Sequence, residues 1–226
     1  MERIAAGEWK PGQAIPNESD LARDFGVSSG TVRRALDLME SGRLLTRRQG
    51  RGTFITDPTA NGLADPYCNV RGLDGEPVAG RIEVTEIAEV AASQAECVRL
   101  QLRAQDPVWR VGRVRRHQGK VFMCETASLP VSLFPQLREG PSCRIVTLAH
   151  RSGLLLGPAE ERVSLGAASR DAAEQLSVAP GSPVLMLDRV VRTIDGQPAE
   201  WRVAQCHLAA SNYYLANLTR GGPTAA

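Results

Sequence analysis

A chain of 226 residues that is 42% hydrophobic and 23% charged has the make-up of folded protein and is long for one compact unit, which argues against disorder and for two units with separate cores. No apolar run reaches the roughly 18 residues of a membrane span, and "MERIAAGEWKPG" lacks the apolar core of a signal peptide, so a cytoplasmic location and no membrane partner are expected. The net charge of +2 names no partner; five scattered cysteines without a CxxC pair and three distant histidines point away from disulfides and zinc, so no metal and no cofactor are expected.

Pro11 and Gly12 mark a turn, and Asn17 is placed to cap a helix beginning at Glu18. Leu21, Ala22 and Phe25 give that helix a narrow apolar stripe, and Gly26 is placed to end it in a left-handed cap. Ser28 caps the next helix, in which Val32, Ala35, Leu36 and Met39 recur at i, i+3, i+4 and i+7, with Gly42 as its end. "LLTRRQGRGTFIT" then reads as two short strands joined by a turn at Gln49 to Gly52. Two helices across a tight turn, followed by a β-hairpin, is the order of a winged helix-turn-helix.

Charge in this stretch is uneven. Between Ser28 and Thr56 the basic residues Arg33, Arg34, Arg43, Arg47, Arg48 and Arg51 face only Asp37 and Glu40, an excess suited to a polyanion, although a solvated face is the bland alternative. A recognition helix needs small polar groups at its first turn and arginines beyond them, which Ser28, Ser29, Thr31, Arg33 and Arg34 supply. A wing needs cations around glycines at its tip, which Arg47, Arg48, Gly50, Arg51 and Gly52 supply.

From Asp57 to about Gly75 the composition shifts to Pro, Gly, Asn and Asp, the mark of a linker. The expected units are therefore residues 1–57, a linker over 58–75 that serves as hinge, and residues 76–226. The last contains a repeat: "LQLRAQDPVWRVGRVRRHQG" from Leu100 and "LSVAPGSPVLMLDRVVRTIDG" from Leu176 align Pro107 with Pro183 and Arg113 with Arg189 at one offset. Each copy follows a helix-like stretch and precedes a glycine turn and a second strand-like run holding a carboxylate, Glu125 or Glu200. Helix, strand, turn and strand used twice predict an α+β unit, an antiparallel sheet with helices packed on it.

Strand alternation puts Trp109, Val111, Arg113 and Arg115 on one face, and Val121, Met123, Glu125 and Ala127 on one face of the next strand. Two arginines two residues apart can clamp a phosphate or carboxylate, and a nearby carboxylate can accept from hydroxyls or an amine. Alternatively Arg113 and Arg189 pair with Glu125 and Glu200 and merely satisfy the sheet.

Residues 7–56, "GEWKPGQAIPNESDLARDFGVSSGTVRRALDLMESGRLLTRRQGRGTFIT", resemble the DNA-binding domain of the GntR family of bacterial transcription regulators. "PVWRVGRVRR", "ETASLPVSLFPQL", "AAEQLSVAPGSPVLMLDRV" and "DGQPAEWRV" resemble the UTRA effector-binding domain of the HutC subfamily, whose fold is similar to chorismate lyase. The resemblance implies effector contact by Arg113, Arg115, Glu125, Ser142 and Glu200, and a structural role is kept for Arg189. Departures are a shorter first helix, Ser29 where the family commonly has Arg, Ser19 where some relatives are basic, and Arg144 and Cys206 where sugar-phosphate binders have tyrosines. The function so implied is a ligand-responsive repressor, a homodimer on a double-stranded DNA operator, released by a small anionic metabolite. An enzyme acting on a small anionic substrate through the lyase-like unit is the alternative from another class, and a thiol-based redox sensor is a third.

Overall fold

The computed structural model describes residues 2–5, 8–41, 44–56, 67–78, 80–137, 143–208, 210 and 212–216. In the N-terminal unit, local signals decide where helices stop. Helix α1 (Glu2–Ala5) is a single turn. Helix α2 (Glu18–Phe25) begins where the Asn17 side chain accepts the Asp20 N–H at 2.9 Å, and it ends at Gly26, whose φ of 65° is the left-handed cap. Helix α3 (Ser29–Ser41) begins behind Ser28, whose Oγ accepts the Thr31 N–H at 3.1 Å. Gly42, expected to end it, lies outside the described residues.

Strands β1 (Leu45–Arg48) and β2 (Gly52–Ile55) pair antiparallel with Arg48 opposite Gly52, and the turn uses positive φ at Gly50 and Gly52 (69° and 104°). Ile15, Leu21, Val32, Leu36, Met39, Leu45 and Ile55 close one core. Two residues of the apolar stripes lie outside it: Ala35 is exposed, and Phe25 is covered on one side by the Arg3 guanidinium, 4.8 Å from its ring centre.

The C-terminal unit holds β3 (Val70–Gly72), β4 (Arg81–Ala91), α4 (Gln94–Leu100), β5 (Pro107–His117), β6 (Lys120–Pro130), α5 (Ile145–Arg151), β7 (Leu156–Ala167), α6 (Arg170–Leu176), β8 (Pro183–Thr193), β9 (Pro198–Cys206) and β10 (Asn212–Tyr214). Six strands form one antiparallel sheet in the order β4-β5-β6-β9-β8-β7. The order reads alike from both edges, so the sequence repeat becomes an approximate two-fold between β6 and β9.

The repeat extends to the helix caps. Ser93 and Ser169 accept from the first turns of α4 and α6, and Gln101 and Ser177, both at φ 56°, form the left-handed C-caps. Left-handed backbone strains a residue with a Cβ. Gln101→Gly is therefore expected to raise stability by about 0.5–1 kcal/mol, after the entropy glycine adds to the unfolded chain. An unchanged or lower urea midpoint would show that the Gln101 side chain contributes more than its backbone costs.

One face of the sheet carries α4 and α6, the latter over a cluster of Ala168, Ala172, Ala173, Leu176 and Val184. There Glu96 accepts from Arg110, Ser128 and Ser93, which outweighs the effect of burial and draws its carboxyl down to about 2. The opposite face carries two apolar clusters. Trp109, Val111, Ala127, Leu129 and Val191 pack under Phe134, Leu137 and α5, while Met123, Leu187, Ala204 and Cys206 pack under Cys68, Val70 and Val78.

Within residues 67–75, read from composition as part of the linker, Cys68 and Val70 pack into this second cluster, and β3 pairs with β10 as a two-stranded clasp. Val121 also departs from expectation. A bulge between Arg115 and Arg116 breaks the alternation and sends Val121 against the α6 cluster on the other face. The two units touch where α1 packs against α5 and where Leu155 meets the N-terminal core. No helix among the described residues is long and apolar enough to cross a membrane.

Candidate functional site

All ten residues expected to meet nucleic acid (Ser28, Ser29, Thr31, Arg33, Arg34, Arg47, Arg48, Gly50, Arg51 and Gly52) are exposed, at the start of α3 or on the hairpin. They are not electrostatically equal. Arg33 donates through Nε and Nη2 to Glu18 Oε2, both at 3.0 Å, and Arg47 donates to Glu40 at 2.7 Å and Asp37 at 2.6 Å. Those carboxylates raise both guanidinium pKa values above the ordinary arginine value, Glu18 acting on Arg33 and Asp37 foremost on Arg47. Arg48 lies over the Phe54 ring at 4.9 Å, which fixes its direction without neutralising it. Arg34 and Arg51 make no ion pair among the described residues. Among the described residues of this surface, the cations without a carboxylate partner are thus Arg34, Arg48 and Arg51, a distinction the sequence did not make.

The second site is a belt of charge across the inner face of the six-stranded sheet, between its two apolar clusters. Direct cross-strand pairing places Arg113 beside Glu125, and a second row runs Val111, Ala127, Arg202, Arg189, Glu161. The side chains of Arg113, Arg115, Arg189 and Arg202 are only 1–2% exposed. Three carboxylates answer them. Glu125 lies 2.8 Å from Arg113, 3.3 Å from Arg115 and 3.1 Å from Arg202. Glu200 bridges Arg113 at 2.8 Å and Arg189 at 3.2 Å, and Glu161 accepts from both Arg202 and the Tyr214 hydroxyl.

Arg113, Arg115, Glu125 and Glu200 are therefore brought together as expected, while Ser142 lies outside the described residues. Their mutual ion pairs are those of the structural alternative, so geometry alone accommodates either role. Sequence reasoning missed Arg202, Glu161 and Tyr214, and kept Arg189 as a structural residue paired within the sheet, as it is with Glu200. The expected pairs Arg113–Glu125 and Arg189–Glu200 both form, at 2.8 and 3.2 Å, but Glu125 and Glu200 are not equivalent in the repeat: in the observed register Arg113 faces Glu125, whereas Arg189 faces Arg202. A longer turn in the second hairpin displaces the repeat, so Arg202 rather than Glu200 stands where Glu125 stands in the first copy.

Burial would raise the Glu125 carboxyl, but Arg113, Arg115 and Arg202 hold it well below the usual carboxylate range. Burial would likewise lower Arg113 and Arg202, yet Glu125 with Glu200 or Glu161 keeps both above the ordinary arginine value. Burial and its bond to Glu161 push Tyr214 up to about 12, so it is a neutral donor. Burial pushes the Cys206 thiol up to about 12, which leaves it without thiolate character. Four buried guanidiniums and three carboxylates share this layer among the described residues. The Arg202 Nε is buried without a hydrogen-bond acceptor among them. A buried ionic belt is a costly way to fill a sheet face that Val, Leu and Ala fill on either side, and its guanidiniums, with the open Arg202 donor, suit a small anion.

A winged helix-turn-helix with bare arginines, joined to an α+β unit with a charged interior, defines a DNA-binding regulator with a small-molecule sensor. Comparison with known proteins agrees. The chain belongs to the GntR type of bacterial regulators that carry a UTRA domain: "Bacterial regulatory proteins, gntR family" matches residues 1–55 and "UTRA domain" matches residues 70–210. This is a family of transcription regulators, not of enzymes.

The mannosyl-D-glycerate transport/metabolism system repressor MngR of Escherichia coli (strain K12) is 36% identical over 137 residues, covering 60% of this chain and 57% of that protein, less than two thirds of its length. The histidine utilization repressor of Pseudomonas putida is 26% identical over 203 residues, covering 87% and 79% of the two chains. In fold, the chain is similar to the ligand-binding domain of a GntR-family regulator from Bordetella bronchiseptica, with a TM-score of 0.62, 21% identity, and coverage of 70% of this chain and 100% of that one.

Proposed function

We propose that this protein is a cytoplasmic homodimeric repressor that leaves its double-stranded DNA operator when a small anionic metabolite enters the charged belt. The observation that carries the reading is the charged interior of the second unit, in which Arg113, Arg115, Glu125 and Glu200 stand together, buried and within ion-pair distance of one another. Two-fold symmetry of a dimer lets one small reading head recognise two half-sites at a fixed spacing. Ligand changes operator affinity only through a differential affinity for two arrangements of the heads.

Arg115 is the member to remove first, because its bonds to Glu125 are long, at 3.3 and 3.5 Å. The metabolite that travels with purified protein is identified by native mass spectrometry, and DNA enriched from genomic fragments serves as the operator. Arg115→Met is expected to bind that DNA as the parent does and to lose at least tenfold in affinity for the metabolite, about 1.4 kcal/mol for a charge-assisted contact. Parental metabolite affinity in this variant excludes the belt as the effector site.

A further inference from the structure

The belt also holds two pieces of backbone, each next to a place where the sensor connects to the DNA-binding head. Arg113 donates through Nη2 to Glu200 Oε1 at 2.8 Å and through Nη1 to the Cys143 carbonyl. Cys143 stands two residues before α5, the helix on which α1 of the head rests. Arg189 donates through Nη2 to the other oxygen of the same carboxylate, Glu200 Oε2, at 3.2 Å and through Nη1 to the Tyr67 carbonyl. Tyr67 is the first described residue after the segment that joins head to sensor.

Tyr67 is fixed in more than one way. Its hydroxyl donates to the Gly157 carbonyl at 3.1 Å, and its ring centre lies 5.4 Å from the Arg189 guanidinium carbon. Glu200 itself is fully buried. One carboxylate therefore sits between two guanidiniums, and the Nη1 arm of each guanidinium fixes main chain. A rigid sheet links all three groups, because Arg113 is on β5, Arg189 on β8 and Glu200 on β9.

We propose that Arg189 is a positioning residue which, with Glu200 and Arg113, couples the anion site to the head. The proposal rests on the ligand-responsive reading above. An anion entering the belt competes with Glu200 for both guanidiniums, since each has a limited set of donors in a fixed fork. Turning either fork toward a new acceptor draws its other arm from Cys143 or from Tyr67. Because both forks share Glu200, the support of α5 and the anchor of the connecting segment shift together. A coupling claim requires a packed element with two arrangements that both sites bias, and the linked forks of Arg113 and Arg189 on Glu200 are the element proposed.

The test uses the full chain and genomic DNA fragments enriched by the parent protein. Arg189→Met removes the arm on Tyr67 and is expected to lower affinity for the enriched DNA roughly tenfold, within the 5- to 150-fold range usual for such coupling. Amide protection at residues 68–72 should fall with it. The control is Arg99→Met, which breaks the Asp188 pair on the opposite face; it should lower thermal stability and leave DNA affinity unchanged. Parental DNA affinity in Arg189→Met, or an equal loss in Arg99→Met, overturns the proposal.

If Arg189→Met does not fold, hydrogen exchange on the parent decides instead. Amides at 68–72 and 145–151 should gain protection together when DNA binds; a gain at one stretch alone, or at neither, overturns the coupling. Failure of the parent to enrich any DNA is a separate result, which removes the functional reading and this proposal with it.

Discussion

Glu125→Ala is expected to destabilise the C-terminal unit by about 3–5 kcal/mol at neutral pH, much of the roughly 5–15 kcal/mol that holds a typical domain together. Glu125 is fully buried and is shared by Arg113, Arg115 and Arg202. Removing it takes a shared counter-ion from three guanidiniums in a low-dielectric layer, although Arg113 keeps Glu200 and Arg202 keeps Glu161, and arginine cannot escape by losing its proton. Glu125→Gln keeps an acceptor but not the charge, so a smaller loss is expected.

The same carboxylate sets a pH dependence. Its pKa in the folded protein lies well below the usual range, so its contribution is complete above the unfolded value of about 4.3 and is lost as pH falls through the folded value. Urea midpoints at pH 7 and pH 3 for parent and variant check both statements. A variant within about 1 kcal/mol of the parent at pH 7 would mean that Glu125 is not the shared counter-ion.

What sequence alone conveyed, and what it did not, divides along physical lines. Asn17, Gly26, Ser28 and the glycines of the hairpin act on backbone within a few residues, and the structure uses each of them as the local rules require. The strand period also put Arg113 and Arg115 on one face. Sequence could not show which strand lies beside which: Arg202 reaches Glu125 from 77 positions away and Glu161 from 41 positions away.

The usable signal was Arg202 itself, two residues after Glu200 and so on the same strand face, and a repeat alignment with a longer second turn would have matched it to Glu125. Surface pairing was equally hidden. Glu18 was read as a first-turn residue of its own helix, and only the angle between α2 and α3 brings it to Arg33, 15 residues on.

That pairing changes what DNA binding should look like. Arg34→Ala and Arg48→Ala are each expected to weaken operator binding roughly tenfold, about 1.4 kcal/mol, and to lower the salt slope by about 0.9 for each phosphate no longer neutralised, twice that in a dimer. Both guanidiniums are exposed and neither is spent on a carboxylate, so phosphate binding gains their full charge and releases counterions. Arg33→Ala should cost less, because Arg33 must first give up its bonds to Glu18 at 3.0 Å.

The exchange can be tested from the acidic side. Glu18→Gln should strengthen binding and steepen the salt dependence by freeing Arg33 for phosphate, whereas a chain in which Glu18 only caps α2 electrostatically would lose stability and bind as before. Affinities between about 50 and 200 mM salt, where phosphate binding dominates the change, separate the two outcomes. Equal losses for Arg33→Ala and Arg34→Ala, with no effect of Glu18→Gln, would mean that the bound state ignores the pairing and that all the basic residues of α3 act alike.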